Sequence, residues 1–139
     1  MAAQKGDDVI LKVGNGATPT EVFTEIGGLI NTDFILYNKI IEANNLISGQ
    51  YRKINGQTGV RSLVVKGSGY FTDSSSEELM RGYAFSGSSN NYELHFGNGD
   101  YISCAFVVSN YERKGTLGRQ EDFAVVLESD GSINFTNGA

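Results

Sequence analysis

The sequence predicts a mainly β protein, a β-sandwich or partly open barrel of about eight strands with one flanking α-helix around residues 74–86. Three observations carry this. The 139-residue chain has 18 glycines but one proline, with eight Phe and seven Tyr and no Trp, the composition of a turn-rich aromatic β domain. Several runs alternate apolar and polar side chains with a period of two. A single stretch, "DSSSEEL", has the serine caps and early glutamates of a helix start.

The first strand candidate is "DVILKV", Asp8 to Val13, followed by the glycine-rich turn "GNGATPT". "EVFTEI", Glu21 to Ile26, is the second. Leu29 to Ala43 reads as a third, with Phe34 and Leu36 on one pleat face and Asp33, Ile35 and Tyr37 on the other. From Asn44 to Gly59 the chain is polar, with three glycines and no sustained period, so a long loop is expected; loops of that length in compact domains are usually functional or disordered.

A long strand follows from Val60, with Leu63, Val65 and Phe71 on one face and Ser62, Lys66, Ser68 and Tyr70 on the other. Gly67 and Gly69 would permit a bend or a close backbone approach. In the helix, Ser75 and Glu78 have capping-box spacing, and Leu79, Met80 and Tyr83 would be buried while the carboxylates face solvent or a neighbour. "YELHF", "YISCAFVVSNYER" and "DFAVVLES" supply three more strands, and Asp130-Gly131 reads as a tight hairpin turn into a last short strand, "SINFT".

Length alone indicates one domain over residues 1–139. Eleven Lys and Arg against sixteen Asp and Glu give a net charge of −5, and the basic residues are scattered, which argues against a dedicated nucleic-acid grip. Cys104, the single cysteine, excludes an internal disulfide and sits in an apolar run as a small buried hydrophobe. The start "MAAQKGDD" lacks the apolar core of a signal peptide, and no run of about 18 apolar residues suits a membrane span. The expectation is a protein made in the cytoplasm with no membrane partner.

No catalytic, cofactor or metal site is expected. His95 has no second His or Cys at ligand spacing. The glycine-rich turns complete no phosphate-binding motif. Glu77 with Glu78 is explained by the helix start, and Glu121 with Asp122 by a solvated strand entry. The alternative considered is a carbohydrate-binding β-sandwich in which Tyr51, Tyr92 and Tyr101 form a stacking platform.

In order, "GDDVILKV", the polar loop ending "GVRSLVVKGSGYFTD", one helix, "GDYISCAFVVSNYERKG" and the terminal "LESDGSINF" resemble the major tail tube proteins of long-tailed bacteriophages, of the TP901-1 type, and of gene transfer agents. The resemblance spans roughly Gly6 to Phe135; where that pattern tends to carry bulk such as Trp after the loop's "SG", this chain has Gln50-Tyr51. The resemblance implies a structural virion protein, synthesised in the bacterial host, that forms hexameric rings stacked into a tube for DNA delivery. It implies self-association, contacts with tape measure, tail terminator and distal tail proteins, and DNA passing through without specific binding. The loop would be mobile in the monomer and ordered on stacking, with Leu46, Ile47, Tyr51, Arg52 and Ile54 as contacts. Asp33, Lys66, Ser68, Asp122 and Glu128 are the candidates to face the lumen. Net acidity would then repel phosphates weakly over a Debye length of ~8 Å, unless it is simply a soluble protein's surface charge.

Overall fold

The computed structural model describes residues 9–17, 20–27, 29–39, 41–42, 51, 54–55 and 60–138, with the backbone alone at 41–42 and 54–55. The elements are β1 (Ile10–Gly14), β2 (Phe23–Glu25), β3 (Leu29–Asn38), β4 (Ile41–Glu42), β5 (Ile54–Asn55), β6 (Arg61–Tyr70), α1 (Ser75–Ser86), β7 (Ser89–His95), β8 (Tyr101–Lys114) and β9 (Asp122–Thr136). Seven strands form one antiparallel sheet in the order β2-β1-β7-β8-β9-β6-β3, and β4 pairs with β5 separately. The expected third strand, Leu29 to Ala43, is thus divided into β3 and β4, and β5, at 54–55, stands inside the stretch expected to be a loop.

The two longest strands belong to two regions at once. Tyr101 to Val107 of β8 pair with β7, whereas β6 pairs only with Asp122 to Glu128 of β9. Two irregularities in the β8–β9 ladder bend the pair between these regions. Cys104 and Phe106 oppose Ile133 and Ser129, leaving extra residues around Gly131 in β9, and Ser109 is extra in β8 between Val108 and Asn110. The expected hairpin at Asp130-Gly131 is thus a bulge inside one continuous strand. Gly131 has the positive φ, 95°, that the turn chemistry called for, but β8 is long enough to pair on both sides of it.

Bending brings both regions around one core. Leu11 and Val13 (β1), Tyr92 and Leu94 (β7), Ile102, Cys104 and Phe106 (β8), Leu63 and Val65 (β6) and Phe123, Val125 and Leu127 (β9) form a single buried cluster with Met80 of the helix. Tyr92 and Phe106 meet edge to face at 5.9 Å. Phe34 of β3 meets Phe96, just past β7, at 5.5 Å, so strands far apart in the sheet order touch and the barrel partly closes.

Helix α1 lies on this core face. Ser74 is its N-cap, its hydroxyl accepting from the Glu77 amide, and Gly87 ends it in the left-handed region. The Ser76 hydroxyl donates to the Glu25 carbonyl at 2.7 Å and the Tyr83 hydroxyl to the Gly14 carbonyl at 3.0 Å, tying the helix to β1 and the end of β2.

Candidate assembly surface

One region of the sheet, β3-β6-β9 with the second half of β8, has a buried face and a polar face. Leu63, Val65, Phe123, Val125 and Leu127 point into the core. Alternation then turns the intervening residues outward. Cross-strand register places all five lumen candidates on that outward face. Asp33 is opposite Lys66, Ser68 opposite Ala124, Asp122 between Tyr70 and Lys114, and Glu128 between Val64 and Val107.

Two further charged residues share the face and were missed in the sequence. Glu112 is opposite Ala124 and Lys114 opposite Asp122. Their parity was hidden because the bulge at Ser109 shifts the alternation by one residue. The face thus carries four carboxylates, Asp33, Glu112, Asp122 and Glu128, and two ammonium groups, Lys66 and Lys114. Asn31, Ser68, Tyr70, Glu112, Lys114 and Asp122 line a shallow depression across it.

Both lateral edges of this four-stranded region are open among the described residues. β3 is the terminal strand, paired only with β6, and β7 stops pairing with β8 at Val107, leaving Val108 to Lys114 without a paired strand on that side. β3 is ten residues long and exposes Ile35, Leu36 and Tyr37 by 41%, 53% and 52%. An edge that long and apolar is a template for pairing with another chain.

The family model for phage tail tube proteins matches residues 3–135. The chain belongs to the phage tail tube protein family. Its fold superimposes on the tail of an empty gene transfer agent particle, solved with C6 symmetry, at a TM-score of 0.87 and 26% identity, covering 97% of this chain and all of that one. A chain of the native gene transfer agent virion gives 0.85 at 24% identity, with the same coverage. The SPP1 tail tube gives 0.77 at 11% identity, over 99% of this chain and 80% of that one. No curated protein sequence matches significantly.

In this tail tube family member the helix start is more than a cap. Glu78 is exposed, but Glu77 is wholly buried, against the expectation that both carboxylates face outward. Tyr111 of β8 donates its hydroxyl to Glu77 Oε1, and Arg81 Nε approaches Glu77 Oε2 at 3.7 Å. Burial first, then the bond to Glu77, pushes the Tyr111 hydroxyl pKa well above the usual tyrosine range. Beside this cluster the Arg113 guanidinium stacks 3.8 Å over the Phe71 ring and forks onto the Glu121 carboxylate at 2.7 and 3.0 Å. Glu121 is therefore an ion-pair partner and not merely a solvated strand entry.

Leu46, Ile47 and Arg52, expected as stacking contacts, lie outside the described residues; Ile54 is in β5, and Tyr51 is 73% exposed. The tyrosine platform of the carbohydrate-binding alternative does not form. Tyr92 is fully buried, and Tyr101 stacks on His95 at 5.1 Å. His95 Nε2 lies 2.9 Å from Glu93 Oε1. Cys104 is buried, and burial pushes its thiol pKa up, as suits a packing residue. Among the described residues no helix is long and apolar enough to cross a membrane.

Proposed function

We propose that this chain polymerises into hexameric rings that stack into the tail tube, the conduit through which DNA leaves a phage or gene transfer agent particle. The observation that carries the reading is the pair of open edges on one four-stranded region. Strand direction alternates along β3-β6-β9-β8, so β3 of one copy set beside Val108 to Lys114 of the next would run antiparallel and continue the same ladder. The two edges differ, so the contact is head to tail, and such contacts generate a ring when the rotation closes. The sixfold gene transfer agent tail, 26% identical over nearly the whole chain, supports closure after six copies.

In such a ring the face bearing Asp33, Lys66, Ser68, Asp122 and Glu128 lines the channel. Its excess of carboxylates over ammonium groups disfavours phosphate binding at short range, so DNA slides without a specific grip. Leu46, Ile47, Tyr51, Arg52 and Ile54 of the β3–β6 connection contact the next ring. The tube's ends meet terminator and distal tail proteins, and a tape measure protein occupies the channel during assembly. The role is structural, in the virion tail, after synthesis in the bacterial host cytoplasm.

Replacing Asn45 to Thr58 with a short Gly/Ser linker tests the stacking role. Loop length contributes little to folding entropy, and the swap removes only the two-residue pairing of β5 with β4, which lies outside the seven-stranded sheet, so the monomer's melting curve should change little while tubes fail to form. Tubes of normal length from the shortened protein would count decisively against that role.

A further inference from the structure

The register of the four-stranded region fixes which connections leave from which end. Tyr70, Asp122 and Lys114 stand in one cross-strand row, with Leu29 opposite the adjacent Gly69. The β8–β9 hairpin and the β6–α1 connection therefore leave from that end. Asn38 pairs with Arg61 at the other end, from which the β3–β6 connection departs. The two ends of the same sheet are thus chemically distinct.

The hairpin end carries an unusual tip. Thr116 to Arg119 form a turn closed by the Arg119 amide on the Thr116 carbonyl, 3.0 Å, with Gly118 in the left-handed region. Leu117 projects from it with its whole side chain in solvent, 102% exposed, and Ile30 and Tyr70 at the same end are 61% and 47% exposed. The base of the hairpin is held by the fork of Arg113 onto Glu121, by Arg113 over Phe71, and by the Phe71 amide on the Glu121 carbonyl at 2.7 Å. An apolar tip on a braced base is organised before it binds anything, which lowers the ordering cost of a contact.

Resting on the tube reading above, we infer that the β8–β9 hairpin tip, centred on Leu117, is the axial docking surface for a second copy of this chain. Rings stacked with one polarity must meet through two unlike surfaces. The end bearing the hairpin is therefore set against the end from which the β3–β6 connection leaves. Charge is complementary. Residues 39–60 hold Lys39, Arg52 and Lys53 against Glu42 alone. With Arg113 and Glu121 cancelling each other, the hairpin end presents Asp73, Glu78, Glu112 and Asp122 against Lys114, Arg119 and Arg81, the last 3.6 Å from Asp73, a small acidic excess. Leu117 would be lost from water only when the next ring arrives, and its neighbours Ile30 and Tyr70 extend the apolar contact.

The test uses the full chain with Leu117→Asp and, as a milder change, Leu117→Ser. Because the side chain is fully exposed, both should melt like the parent and still form single rings. Burying a leucine is worth roughly a tenfold factor or more in each contact, so the concentration needed for tubes should rise at least about tenfold for Leu117→Asp and less for Leu117→Ser. Tubes at the parent's concentration and length from both variants overturn the inference. Should Leu117→Asp fail to fold, Leu117→Ser decides alone. Should the parent itself form no rings or tubes, the tube reading fails; parent tubes with unaffected variants remove only the hairpin's role.

Discussion

Among the described residues Glu77 is the one charged side chain with no exposure, and its burial explains why Tyr111 matters. A buried carboxylate is tolerated when hydrogen bonds and an opposite charge compensate for lost hydration, here the Tyr111 hydroxyl and Arg81. Tyr111→Phe removes the donor and leaves the acceptor buried, so urea unfolding should show a loss of about 1–3 kcal/mol. The same residue gives a pH signature. Tyr111 and Tyr92 both have hydroxyl pKa values raised in the fold, chiefly by burial, above the value of about 10 for an unfolded tyrosine. Above that pH the unfolded chain loses these protons while the folded one keeps them, so the stabilisation present below pH ~10 declines as pH rises. Unfolding free energies measured from pH 9 upward should fall more gently for Tyr111→Phe than for the parent. Equal slopes would show that Tyr111 is not shielded.

At the level of elements, the helix was legible because "DSSSEE" offers overlapping S-x-x-E registers, but sequence could not choose between them. Asp73 or a following serine could cap, and Ser75 with Glu78 had capping-box spacing; the cap is Ser74, which receives the Glu77 amide, and in that register Ser76 and Glu77 turn toward the sheet. Ser74→Ala should cost about 1 kcal/mol in chemical denaturation, and Ser75→Ala distinctly less. The strands of the core were legible from alternation in "RSLVV", "YISCAF" and "DFAVVLE". Lost to sequence reading was everything decided by a bulge. Ser109 resets the alternation of β8 and hid Glu112 and Lys114, and Asp130-Gly131 has hairpin chemistry while serving inside a strand. Bulges depend on the partner strand's length and register, which no local pattern records.

For the whole molecule, the outward polar face was anticipated because residues opposite an apolar row must share the other face of a strand. The order of strands that assembles Asp33, Lys66, Asp122 and Glu128 from three segments is a tertiary fact. If that face lines the channel, Asp33→Lys with Glu128→Lys turns an acidic surface basic in every subunit. Phosphates would then release counterions at successive rings and be held in a salt-dependent manner. Particles carrying both substitutions should assemble and eject DNA slowly, most of all at low salt; ejection at the parent's rate would remove these side chains from the channel.

The claim that joins these scales is that unlike edges of one sheet close six copies into a ring that stacks. Electron microscopy of the concentrated, purified chain, with helical reconstruction of any assemblies, tests it most directly. The predicted result is tubes of sixfold rings in which β3 of each copy lies antiparallel to Val108 to Lys114 of its neighbour, with Asp33, Lys66 and Glu128 facing the channel. Monomers alone at millimolar protein across salt and temperature, or tubes whose copies meet through other strands, would contradict it.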